Sequence, residues 1–390
     1  MPLCEAETRR HTSCKRRVRQ PGLRCVTHQG QELFREPQFG GVSVGRQLII
    51  PSERELIVDR IFNDAENTPV TIMNDPNQVI QGYRHIRVSV DIGAPQPTEF
   101  WPMEKVVGRG GNGMVINMAP RQGNGAKFAL KIDLQNQEQD IARQLDAGNN
   151  VCKQLRVRYI GEVRIRYDNC VRRCFISVME SMDGDITRMF REIARGKDAR
   201  GRIPRIPPHG DGSKTLVAFR CAELIRLQLL CLYEQDLFYT DFKLQNVLYK
   251  VLDYTARRKK SFIVMLGDIG AMGIDDDGDM ASTYPSPETR RIPNKGYGMI
   301  PRALLEARNN LGIRHLLAWN IGAFFAQVVN IYSAPPIPFH FQISPREFED
   351  NRRRLQLRVR RMFGDVAASY LERRGEDRPD VFDPIPVIYA

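Results

Sequence analysis

No run of apolar residues in this chain approaches the ~18 that a membrane-spanning helix needs. The richest stretch, Ile321 to Asn330, is short and internal. The N-terminus has no apolar segment of the kind that directs secretion; Glu5 and Glu7 are followed by arginines. Cysteine is sparse, 8 in 390 residues. That is too few to staple a fold of this length, so a reducing, intracellular compartment is expected. Acidic residues are in deficit: 46 Asp and Glu against 58 Lys and Arg leave a formal charge of +12. Such an excess favours anionic partners (nucleotides, nucleic acid, acidic proteins) and singles out none of them. There is no internal repeat.

What remains is an ordinary globular composition, 42% hydrophobic and 27% charged, long enough for two or three units. The first 30 residues stand apart, poor in apolar residues, rich in arginine, and holding Cys4, Cys14 and Cys25. Cys152, Cys170, Cys174, Cys221 and Cys231 lie among apolar neighbours and read as core thiols. Ser52-Glu53-Arg54-Glu55 forms a capping box ahead of Leu56, Ile57, Ile61 and Phe62, which predicts a short helix. Ile86, Val88, Val90 and Ile92 alternate with polar residues as in a half-buried strand, and Pro95 and Pro97 then break the chain. Residues 100–180 read mostly as strands with one helix, and 215–330 mostly as helices. The Gly-, Pro- and base-rich stretch from Arg191 to Lys214 reads as an inserted loop. Beyond Pro335, Pro336 and Pro338, Leu355, Val359, Met362 and Val366 recur at helical steps among arginines, predicting an amphipathic helix with a basic outer face.

Five constellations stand out among these elements. Gly108-Arg109-Gly110-Gly111-Asn112-Gly113-Met114-Val115 suits a hairpin that lies close over phosphates, presenting backbone N–H groups unobstructed. Ala129-Leu130-Lys131 ends an apolar run, so its ammonium would reach beneath that hairpin; the plain alternative is an edge-strand lysine in solvent. In the helical pattern that follows, Glu138 is the candidate partner of Lys131, with Glu162 a competitor further on. Phe175 to Glu180 forms an apolar strand ending in an acid, and Met182-Asp183-Gly184-Asp185 a turn suited to the side of an adenine pocket. Asp241-Phe242-Lys243-Leu244-Gln245-Asn246 places an acid, a cation and an amide in one short polar loop. The acid can orient or deprotonate a hydroxyl, the lysine can neutralise a phosphoryl group, and the amide oxygen can hold a metal. Ile263 to Leu266 then delivers Asp268 into a turn flanked by Gly267 and Gly270, as a second Mg²⁺ ligand requires.

In their order and spacing these motifs resemble those of the eukaryotic-type protein kinases over about residues 100–330. Ser286-Pro287-Glu288 resembles the motif that closes the activation segment of that superfamily, and Trp319-Asn320-Ile321-Gly322 that of a buried helix of its larger lobe. The resemblance implies an α+β, bilobal kinase-like fold, with a strand-rich N-lobe and a helical C-lobe. It implies ATP and Mg²⁺ as cofactors and protein substrates, with no membrane partner. Asp241, Lys243, Lys131 and Glu138 take the catalytic places. Gly108, Gly110, Gly113, Val115, Ala129, Lys131, Met179, Glu180 and Met182 line the nucleotide, and Asn246 and Asp268 hold the metal. Lys243 points to serine and threonine as acceptors.

Three departures stand out. Tyr239 and Thr240 replace the usual His-Arg before the aspartate, which removes the centre of the pocket for a phosphorylated activation segment. Activity without such phosphorylation, or control by a partner, is therefore expected even though Ser282, Thr283 and Tyr284 lie in that segment. Ile269 replaces a phenylalanine, and Leu317 stands where an aspartate normally anchors the catalytic loop.

Cys4, Cys14, Cys25 and His28 supply three sulfurs and an imidazole, a sufficient set for Zn²⁺, with His11 as competitor; unrelated thiols in a basic tail are the alternative. The piece loosely resembles short modules in proteins of large DNA viruses, which would place the chain in a host cell or a virion. Its arginines suit nucleic acid or an acidic partner. The expected organisation is a 1–30 Cys/His module, a 31–99 extension on the N-lobe, a 100–335 kinase domain, and a basic helical segment at 336–390. Two other functions fit the same residues: a nucleotide-binding pseudokinase scaffold, and a basic structural or nucleic-acid-binding particle protein.

Overall fold

Ile86, Val88 and Val90 are fully buried while Arg87 lies exposed between them, the alternation of a strand with one covered face. They belong to or adjoin β3 in the computed structural model, which describes residues 60–62, 66–109, 113–121, 128–134, 157–167, 169–195, 212–233, 239, 241–254, 259–268, 280–281, 283–287, 299–300 and 311–385. All of these belong to the unit Pro51–Ala390. Of the helix expected after Ser52, residues 60–62 are described and helical.

Eight strands form one sheet: β1 (Val70–Ile72), β2 (Val79–Gln81), β3 (Val88–Val90), β4 (Thr98–Arg109), β5 (Gly113–Pro120), β6 (Phe128–Asp133), β7 (Val157–Tyr167) and β8 (Cys170–Glu180). Their spatial order is β1-β3-β4-β5-β6-β8-β7-β2, antiparallel except where β2 runs parallel to β7. The strands from residues 70–90 are thus hydrogen-bonded into the same sheet, at both of its margins. Register decides which side chains share a face. Ile116, Phe128, Leu130, Ile132, Ile176 and Val178 close one core within the sheet region. Ala129 and Met179, directly opposite each other, point the other way and join the core of the helical region.

The helical region opens with β9 (Gly184–Asp185) and α1 (Ile186–Ala194), whose N-cap Asp185 accepts the Arg188 N–H at 3.0 Å. It continues through α2 (Gly212–Tyr233), β10 (Val247–Tyr254), β11 (Lys259–Leu266), the pair β12 (Met280–Ala281) and β13 (Met299–Ile300), α3 (Leu311–Tyr332), α4 (Pro345–Phe363) and α5 (Asp365–Ser369). β9, β10 and β11 form a second, three-stranded sheet in the order β11-β10-β9. Every residue of α3 from Leu316 to Val329 is buried, as befits a helix apolar on all sides. A Cβ added at Gly322 would lie 2.5 Å from the Tyr370 carbonyl oxygen, so α3 meets the α5 turn backbone to backbone.

Three expectations are corrected. The helix carrying Leu355 and Val359 stops at Phe363: Gly364, at φ 85°, breaks it, and Val366 sits in α5. Of the expected core thiols, Cys174 and Cys221 are buried, but Cys170 is exposed because it opens β8 at the tip of the β7–β8 hairpin. Cys231 is disulfide-bonded rather than a free thiol; Cys152 lies outside the described residues. No described helix is long and apolar enough to cross a membrane. The chain is an α+β fold with a strand-rich region followed by a helical one.

Candidate active site

The face of β6 that turns toward the helical region carries Ala129, Lys131 and Asp133 at alternate positions, with Val115 opposite Lys131 and Met179 opposite Ala129. Ala129 and Met179 are buried there, and Val115 and Met182 pack against the same apolar cluster. Four residues expected to line a nucleotide thus share one apolar surface. Glu180 does not share it: it lies opposite Phe128, on the other face of the sheet.

Gly108 and Gly113 flank the hairpin between β4 and β5; Gly110 lies outside the described residues. The two glycines differ in what they require. A Cβ at Gly113 would sit 2.5 Å from the Ile132 carbonyl oxygen, so packing of β5 on β6 already demands glycine there. At Gly108 a Cβ would meet nothing nearer than Val115 at 4.0 Å. The phosphate argument made for Gly113 is therefore not needed to explain it.

Lys131 Nζ lies 3.2 Å from Asp268 Oδ1 and 3.4 Å from Asp133 Oδ2. This ion pair joins a strand of the large sheet to the turn after β11, 137 residues later. Glu138 lies outside the described residues. Glu162, two strands away on β7, is bonded to Arg173 and to Tyr159. Asp133 is a second carboxylate that sequence reasoning did not single out.

Asp268 takes φ 53°, a left-handed backbone that is uncommon outside glycine and costs energy unless its surroundings enforce it. The enforcing contacts are on the residues just before it. Gly267 N–H donates to the Asn246 carbonyl at 2.7 Å, and Gly267 C=O accepts the buried Tyr239 hydroxyl at 2.6 Å. Gln228 on α2 completes the strand: its amide donates to Val264 C=O at 2.8 Å and accepts Leu266 N–H at 2.9 Å. β11 is an edge strand, and this side chain takes the place of the missing neighbour.

The Asp241 loop is built as tightly. Lys243 Nζ lies 2.5 Å from Asp241 Oδ2. Asn246 N–H donates to Lys243 C=O at 2.9 Å, and the Asn246 amide nitrogen to Asp241 C=O at 3.2 Å. Because the nitrogen of that amide is committed, its oxygen is the atom left for a ligand. Leu317 is buried in the core. The loop is nonetheless held from below: Asn320 donates to Tyr239 C=O at 3.0 Å, and Leu244 N–H to the Gln327 side chain at 3.1 Å. Two neutral amides of α3 therefore hold this loop, although Leu317 offers it no hydrogen bond from its side chain.

The other oxygen of Asp241 accepts two bonds from Thr283, from its N–H at 2.8 Å and from its hydroxyl. Thr283 is placed by its neighbour. Tyr284 stacks on Phe339 with ring centroids 5.9 Å apart, and its carbonyl accepts the Trp319 indole N–H at 2.9 Å. Burial, with the Asp241 charge adding to it, pushes the Tyr284 phenol above its ordinary pKa. An ionised carboxylate offers about four acceptor sites. Lys243 and Thr283 take three of them, leaving Asp241 room for one more donor.

Replacing Tyr239 with phenylalanine removes one hydroxyl and leaves the Gly267 carbonyl buried and unanswered. A loss of about 1–3 kcal/mol in unfolding free energy is expected, measured by urea titration. An unchanged midpoint would show that the left-handed turn at Asp268 does not depend on that bond.

Ile269, Thr240, Ser282, Glu288, Cys4, Cys14, Cys25 and His28 lie outside the described residues. Among the described residues no group of three His, Cys, Asp or Glu side chains is placed to hold a metal. Comparison with protein-family models finds no match, and neither does comparison with curated proteins. Among solved structures the chain is similar to the ROP18 kinase domain in complex with AMP-PNP and sucrose. That match has 14% identity, covers 86% of each chain and gives a TM-score of 0.44.

Proposed function

We propose that the chain is an ATP-dependent protein kinase that phosphorylates serine or threonine. The observation that carries this reading is the ion pair between Lys131 and Asp268. It brings an ammonium from the large sheet, and a carboxylate from the left-handed turn after β11, to the edge of the loop that holds Asp241, Lys243 and Asn246. A grouping of cations and hard oxygen donors around one apolar floor suits a triphosphate whose base lies on Val115, Ala129, Met179 and Met182.

In this reading Lys131 steadies the inner phosphates, with Asp268 releasing it as nucleotide enters. The Asp268 carboxylate and the Asn246 amide oxygen are hard donors suited to Mg²⁺, which when bound supplies neutralisation of phosphate charge. Asp241 uses its remaining acceptor site to orient the substrate hydroxyl and take its proton. Lys243, bonded to the same carboxylate, faces the phosphoryl group in transit. Thr283 fixes the rotamer of Asp241, so positioning is in place before substrate arrives. Since the Thr283 hydroxyl is engaged and Tyr284 is partly buried, activity is proposed not to depend on phosphorylation at either.

The test uses the purified full chain with Mg²⁺ and γ-labelled ATP, alone and with basic and acidic model proteins. Label should appear on serine or threonine. Tight nucleotide binding with no transfer to any protein would replace this reading with that of a nucleotide-binding scaffold.

A further inference from the structure

On α4, Leu357 is 51% exposed, the most open of the large apolar side chains among the described residues. The helix buries Phe348, Leu355, Val359 and Phe363 on its inner side, so Leu357 stands on the outer one. Residues three and four positions away are its surface neighbours on a helix. All four of them are arginines: Arg353, Arg354, Arg360 and Arg361, each exposed. Such a ring is not explained by the fold. Four cations gathered on one helix face repel one another weakly, and an open leucine gains nothing from water.

The charges are only partly answered within the chain. Arg353 reaches Glu349 at 3.2 Å and Arg360 reaches Asp365 at 2.7 Å, both toward the helix ends. Arg354 bonds the Asn351 amide oxygen at 3.2 Å, and Arg361 has no ion pair among the described residues. Arg358, next to Leu357, turns away to the Pro335 carbonyl at 2.9 Å. Exposed Asp350 borders this face three and four residues before Arg353 and Arg354, and residues 351–364 contain no Asp or Glu.

We propose that this face of α4 docks an acidic protein segment in which one apolar side chain is flanked on both sides by carboxylates. The apolar residue would sit on Leu357 and the aliphatic stems of the arginines, and the carboxylates would meet the guanidinium groups. A second copy of this chain is disfavoured by its charge of +12. Nucleic acid would use the arginines but leave the central leucine without a role. The site is separate from the proposed phosphotransfer residues, and its test does not involve ATP.

The experiment measures fluorescence anisotropy of a labelled short helical peptide with glutamates three and four residues on either side of a central leucine. A permuted peptide of equal composition is the reference. The full chain should bind the patterned peptide about ten-fold tighter than the permuted one. Leu357→Asp should weaken binding about ten-fold. So should the pair Arg354→Glu and Arg361→Glu, and a peptide in which lysines replace only the two glutamates that face those positions should restore binding to that pair. All three positions face solvent, and unchanged thermal melting of the variants checks that they fold. Equal affinity for both peptides, or no effect of Leu357→Asp, overturns the proposal. Tighter binding of a single-stranded RNA, insensitive to Leu357→Ala, overturns it in favour of nucleic acid. Self-association of the chain that Leu357→Asp abolishes gives the face to a second copy instead.

Discussion

Replacing Asp241 with asparagine is expected to cost on the order of 10²–10⁴-fold in phosphotransfer while leaving nucleotide binding in place. The amide keeps an oxygen for Thr283 and nearly the shape of the carboxylate, so the Thr283 contacts can persist. What it loses is the charge opposite Lys243 and the ability to take a proton. Lys131, Asp133 and Asp268 are untouched, and with them the side of the site proposed to hold phosphates. Transfer measured by label incorporation and binding measured by nucleotide titration should therefore separate. Turnover retained in the variant would remove Asp241 from the chemistry. Loss of both together would mean that the loop had collapsed rather than lost a base.

The largest stability effect is expected far from that loop. Glu223 and Arg226 on α2 form an ion pair with side chains only 5% and 4% exposed. Two parallel bonds of 2.7 and 2.5 Å join them. Each also holds the C-terminal stretch: Ile385 N–H donates to Glu223 at 2.9 Å, and Arg226 donates to Val381 C=O at 2.9 Å. Glu223→Ala leaves a buried guanidinium without its counter-charge and a backbone N–H without its acceptor. About 3–5 kcal/mol of unfolding free energy should be lost, read by denaturant titration. Replacing both residues with leucine should cost less than the single change, because no charge is then stranded. It should not restore the parent value, since the backbone partners at residues 381 and 385 stay unpaired. A single variant as stable as the parent would show that water reaches the pair.

How far the sequence carries depends on where each residue finds its partner. Lys131 and Asp268 are legible because each ends or follows an apolar strand run, so a polar residue there breaks a pattern. Asp241, Lys243 and Asn246 are legible for the same reason, as three polar residues in a short window between apolar stretches. Gln228 and Gln327 carry no such signal, and Tyr239 and Asn320 stand out in the sequence only as motif positions, with no sign of what they bond. Each is a single neutral side chain in an apolar context, and its role appears only when a backbone group distant in the chain arrives beside it. The absence of an aspartate at Leu317 suggests a weakened loop for that reason, whereas the support comes from the same helix, at Asn320 and Gln327. Thr283 was visible as a hydroxyl in a candidate regulatory segment, but its bonds to Asp241 depend on Tyr284 lodging against Trp319 and Phe339. The outward leucine of α4 was hidden by its neighbours, since a run of arginines reads simply as a wetted surface.

The contributions of residues 70–90 to the large sheet also bear on how the chain can be divided. β1 and β3 close it beyond β4, and β2 closes it beyond β7. A polypeptide starting at residue 100 would not be a trimmed version of this fold but one with two raw selvedges. Each would present rows of unmatched amides and carbonyls, ready to recruit whatever extended segment drifts past.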